Sequence, residues 1–154
     1  MKWKCLLFCL LFGSITSFAQ EVKIKKGVVY VDEQKYMEIN DEFGNSIITN
    51  KNGDELLTIK MYSFEKPNPA RNNTNDPNRY NYPATVKEIY NVVSFLDFEL
   101  EYEVDLPQKK IFLAFYKYNL LNEDLTVNQD NAKKIAEKIS KDVSGQRPYM
   151  IIGN

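Results

Sequence analysis

The chain has 154 residues, with 20 Lys and Arg against 21 Asp and Glu, no histidine, and its two cysteines at positions 5 and 9. Beyond Cys9 there is neither imidazole nor thiol, which excludes Ser-His-Asp and Cys-His nucleophile–base pairs and removes the usual zinc ligands. A formal net charge of −1 excludes the strongly basic surface that nucleic acid or an anionic membrane would require.

The first nineteen residues read as a signal peptide. Lys2 and Lys4 give a basic start, residues 5–12 are an unbroken apolar run, and Ser17-Phe18-Ala19 closes the segment with small residues. That order predicts cleavage between Ala19 and Gln20. The run is too short to cross a bilayer, which takes about 20 apolar residues. No later segment is a candidate span. Lipid attachment at Cys9 would need a small residue before it, and Phe8 stands there instead. Removing 19 of the 154 residues leaves 135 and takes Lys2 and Lys4 with it, lowering the net charge to −3. That length predicts a single domain over 20–154, with a core large enough to stand without disulfides. The expected setting is the periplasm or the extracellular space.

Residues 22–104 read as antiparallel strands. Residues 28–31 are β-branched and aromatic behind the turn residue Gly27, and residues 35–39 follow the polar break at Asp32-Glu33-Gln34. Residues 46–49 and 55–62 flank Asn52-Gly53, a pair suited to a tight hairpin. Leu57, Ile59 and Met61 share one face of the second strand. Residues 65–83 then hold six Asn and four Pro, with no Val, Ile, Leu, Met or Phe. A loop this long is usually functional or disordered. Residues 85–95 and 98–104 form the next pair. Phe98, Leu100, Tyr102 and Val104 alternate with Glu99, Glu101 and Glu103, so one face is buried and the other is wet. A two-residue turn at Leu96-Asp97 would set Phe95 beside Phe98 and Val93 beside Leu100.

The last third changes period. Asp105 as cap, Pro107 in the first turn and Gln108 three residues after Asp105 predict a helix start, with Ile111, Phe112, Phe115 and Leu120 at helical spacing. A strand is the rival reading for this aromatic stretch. A second helix is expected from near Thr126, with the stripe Ala132, Ile135, Ala136 and Ile139, ending at Gly145 and Pro148. The fold class that follows is α+β: an antiparallel sheet of hairpins or a meander, followed by two C-terminal helices packed on it.

Several segments together resemble a family of uncharacterised exported proteins from Bacteroidetes-type bacteria. They are Phe18-Ala19-Gln20, Lys25-Lys26-Gly27-Val28-Val29-Tyr30-Val31-Asp32, Asn52-Gly53-Asp54-Glu55-Leu56-Leu57 and the helices around Asn122-Glu123-Asp124. The resemblance implies export and an α+β shape. It implies no activity, so it brings no catalytic residues.

No catalytic, cofactor or metal site is expected. Carboxylates at 99, 101 and 103 are spaced about 7 Å apart along a strand, too far to chelate one ion unaided. Asn122, Asp124, Thr126, Asn128 and Asp130 alternate like calcium ligands. The sixth and twelfth places of such a loop would be Val127 and Lys133 rather than Gly and Glu. The candidate recognition surface is Arg71, Arg79, Tyr80 and Tyr82 in the 65–83 loop, since guanidinium groups and tyrosines suit an anionic ligand, a glycan or a protein. The reading is therefore a non-enzymatic exported module that binds an envelope protein or glycan. The alternative is a carboxylate-only hydrolase such as a glycosidase. A third reading is assembly by strand addition through 22–26 or 149–152.

Overall fold

Short β-branched and aromatic runs between turn residues fold as seven strands. They are β1 Val22–Lys25, β2 Val28–Val31, β3 Gln34–Glu42, β4 Asn45–Thr49, β5 Glu55–Pro67, β6 Thr85–Phe95 and β7 Glu101–Val104. The computed structural model describes residues 20–42 and 45–146. The leader with Ala19, and residues 147–154 with Arg147, Pro148 and the 149–152 segment, lie outside them. The strands form one curled sheet in sequence order, each antiparallel to the next. Among the described residues, helices α1 Pro69–Asn72, α2 Gln108–Lys117 and α3 Gln129–Ile139 accompany the sheet, and the architecture is α+β.

Two positions carry an extra residue. Tyr30 lies opposite Lys35 while Val29 lies opposite Met37, so Tyr36 is bulged out of the β2–β3 ladder. Its ring meets Tyr116 of α2 edge-on at 5.3 Å. Ile48 lies opposite Leu57 while Thr49 lies opposite Glu55, which bulges Leu56. Both Leu56 and Leu57 are buried as a result. Buried side chains of α2 (Ile111, Phe112, Phe115) and α3 (Ala132, Ile135) belong to one core cluster with Val29, Met37, Leu57, Ile59 and Val93 of the sheet.

Several expectations change. The β6–β7 connection is not a two-residue turn. Val93 lies opposite Tyr102 rather than Leu100, and the Phe95 N–H reaches the Leu100 carbonyl at 3.1 Å. Neither Leu96 nor Asp97 adopts the positive φ that a I′ turn requires. The slip is two residues, an even number, so the apolar face stays inward. Phe95 and Phe98 still stack, with ring centroids 4.9 Å apart. Of the Asn52-Gly53 pair, Gly53 alone has positive φ, and the Asn50 side chain organises that loop by accepting from the N–H groups of Asn52 and Asp54.

The segment 108–117 is helical, but Asp105 does not cap it. Pro107 occupies the N-cap position with no side-chain bond, and Asp105 pairs with Lys141 instead. α2 closes on Asn119 at φ +51°, with Asn119 N–H to Tyr116 O and Leu120 N–H to Phe115 O, a Schellman arrangement. α3 starts three residues after Thr126, because Asn128 is the residue whose side chain accepts from Asn131 N–H. It ends at Ile139, six residues before Gly145, with its last turn closed by Ser140 N–H to Ala136 O.

Candidate functional site

The 65–83 segment is shorter as a loop than its composition predicts. β5 runs on to Pro67 and pairs with β6 through all eleven rungs from Leu57–Phe95 to Pro67–Thr85. β4 pairs with β5 no further than Lys60, and β7 with β6 no further than Asn91. The outer rungs are therefore a two-stranded arm beyond these neighbours, with residues 68–84 at its tip. An isolated two-stranded ribbon is marginal in water, and this one carries its own stabilisation. Tyr62 stacks on Tyr90 at 5.6 Å, Phe64 meets Tyr90 edge-on at 6.2 Å, and Lys66 pairs with Glu88 at 2.6 Å.

Polar side chains order the tip where no apolar core exists. Buried Asn68 donates Nδ2–H to the Pro83 carbonyl at 3.0 Å and accepts from Ala70 N–H at 3.0 Å, capping α1. Asn68 N–H also reaches the Ala84 carbonyl, which closes the base. The Asn and Pro content is thus turn chemistry. Each candidate recognition residue has a place. Arg71 Nη1 donates to the Tyr82 carbonyl at 2.8 Å, tying α1 to the 3-10 turn at 79–81. Arg79 Nη2 donates to the Tyr80 hydroxyl at 2.7 Å, and its guanidinium carbon lies 4.7 Å from that ring's centroid. The Tyr82 hydroxyl bonds the Asp76 carboxylate, which pushes its pKa above the ordinary value. Tyr80 is 68% and Tyr82 38% exposed. The arginines are engaged as struts, and the tyrosines are what the tip presents.

The other acidic and polar clusters are structural. Glu103 is not a freely solvated carboxylate: it accepts from the N–H groups of Val143 at 2.9 Å and Ser144 at 2.7 Å. Glu101 accepts from the Ser94 hydroxyl. The donors at 122–128 bond one another, from Asn128 Nδ2 to Asn122 Oδ1 and from Asn122 Nδ2 to Thr126 Oγ1, which donates to Asp124. That hydroxyl holds the Asp124 carboxyl below its usual pKa. Among the described residues no group of three His, Cys, Asp or Glu could hold a metal ion, and no helix is long and apolar enough to cross a membrane.

A feature the sequence did not disclose is a cleft of about 480 Å³ on the core-facing side of the arm's base. Asp41 and Ser46 of β3 and β4, Met61 and Ile89 of the arm, and residues 105–108 at the start of α2 line it. Nothing in the spacing of Asp41 and Asp105 could have signalled that they share a cleft, because the juxtaposition depends on the curl of the sheet. Comparison with known proteins returned no matching family model, no similar curated protein and no matching solved structure.

Proposed function

We propose that the chain is an exported, non-enzymatic binding module, processed between Ala19 and Gln20, that engages an envelope protein or glycan through the tip of its β5–β6 arm. The Phe18-Ala19-Gln20 leader end supports export, as does the resemblance to exported Bacteroidetes-type proteins. In this reading α2 and α3 form a pad on one face of the sheet, and the arm reaches past it. One observation carries the reading: a segment without aliphatic core residues is ordered by its own hydrogen bonds and holds Tyr80 and Tyr82 outward. Rigid exposed tyrosines bring large contact area at low entropic cost.

Affinity capture from intact cells tests it. The processed protein should recover an envelope component that the Tyr80→Ala/Tyr82→Ala variant loses, while both melt at the same temperature. Equal recovery would exclude the tip.

The carboxylate-only hydrolase, such as a glycosidase, has one observation in its favour: Asp41 and Asp105 line one cleft. A glycosidase acid is kept protonated by a desolvating pocket. Asp41 is exposed and accepts from Ser46, and Asp105 is exposed and paired with Lys141, so the geometry favours binding over hydrolysis.

A further inference from the structure

We propose that the cleft at the base of the arm is a second binding site, selective for an aliphatic group that ends in a primary ammonium. The inference stands apart from the tip and does not depend on it.

The walls come from the sheet register. Leu57–Phe95 and Ile59–Val93 are buried rungs on the core-facing side of β5 and β6. The next rungs on that side are Met61–Asn91 and Ser63–Ile89. Met61 is 68% and Ile89 50% exposed there. Leu106 and Pro107 face them from the segment before α2, so the cleft has aliphatic sides. Its volume suits a small ligand, and a methionine wall adapts to the shape of an alkyl chain.

The polar floor commits its one hydroxyl donor and one N–H of each side-chain amide to its own bonds. Ser46 Oγ–H donates to Asp41 Oδ1 at 2.7 Å, Asn91 Nδ2–H to the Leu106 carbonyl at 3.0 Å, and Gln108 Nε2–H to Ser46 Oγ at 3.4 Å. Ser46 and Asn91 are at least nine-tenths buried, which fixes them in place. The second Asp41 oxygen, Asn91 Oδ1 and Gln108 Oε1 take part in none of these bonds. What remains is three acceptor oxygens, one of them on the Asp41 carboxylate, beside one N–H each on Asn91 and Gln108, and no Lys or Arg lines the cleft among the described residues. An ammonium, with three donors and no acceptor, can use those oxygens and is favoured by the charge of Asp41. A carboxylate would face Asp41. The first turn of α2 opposes a cation with about half a positive charge, less than the full charge of Asp41. Asp105 at the rim is balanced by Lys141.

The test is a methyl NMR titration of the protein with n-hexylammonium and with hexanoate, following Met61 and Ile89. Hexylammonium should give saturable shifts and bind about tenfold more tightly than hexanoate, and Asp41→Asn should weaken it about threefold or more. Met61→Lys, at an exposed position, should fill the cleft with its own ammonium and abolish the shifts. A lysine-containing pentapeptide run in parallel tells a polypeptide source from a free amine by which of the two binds more tightly. Absence of saturable shifts, equal binding of hexanoate, or unchanged binding to Asp41→Asn would each overturn the proposal.

Discussion

Gly27 follows Lys26 in the β1–β2 turn, where both residues have positive φ, +76° and +50°. A Cβ on Gly27 would sit 2.8 Å from the Ile39 carbonyl oxygen, and the Gly27 carbonyl accepts the Ile39 N–H at 2.6 Å. Gly27→Ala therefore meets backbone on one side and left-handed strain on the other. It should lower the unfolding free energy by about 1–3 kcal/mol in urea; an unchanged midpoint would show that the β1–β2 turn can rearrange. Tyr102 presents the opposite case. Its ring is buried against Phe95, yet its hydroxyl has no hydrogen-bond partner, and burial pushes its pKa up. Removing an unsatisfied buried hydroxyl relieves a cost of about 1 kcal/mol. Tyr102→Phe should leave the melting temperature equal or higher, and a fall would mean that the hydroxyl is satisfied in solution.

At the level of elements, polar ties decide what periodicity leaves open. The alternation of 98–104 correctly marks the buried and wet faces of β7. It could not show that Glu103 would turn from a solvated row into the anchor of the 143–144 backbone, because that partner lies forty residues away. Glu103→Ala removes the one oxygen that accepts both bonds and should cost about 1.5–3 kcal/mol, with hydrogen exchange quickening first at Val143 and Ser144. The turn before α3 adds a pH dependence. The Thr126 hydroxyl and N–H hold Asp124 below its ordinary value of 3.8, so their stabilisation is complete above that pH and disappears as pH falls through the lowered value. Thr126→Val should bring the Asp124 titration back toward 3.8, and an unmoved titration would remove this account. The strands and the existence of both long helices were legible because apolar spacing is local. The start of α2 was not, since Asp105 is drawn away by Lys141, a contact made only once α3 is in place. The 65–83 composition signalled turns but concealed that Glu65, Lys66 and Pro67 would extend β5, where their partners Lys87, Val86 and Thr85 supply the ladder.

For the whole molecule, the sheet and helices share one core while the arm stands beyond it, held by aromatic contacts and tipped by a polar, self-bonded loop. Such a division lets the tip be altered with little effect on stability. Tyr80→Ala/Tyr82→Ala should stay within about 0.5 kcal/mol of the parent. The four candidate residues were legible as a patch, though not their division of labour, since only the fold shows Arg71 and Arg79 acting as struts behind the tyrosines. The most direct measurement is hydrogen–deuterium exchange on the processed protein with and without its captured envelope component. Slower exchange confined to residues 76–84, with α3 unchanged, is the result expected of a binding tip; unchanged exchange at the tip, or protection only elsewhere on the chain, would contradict it.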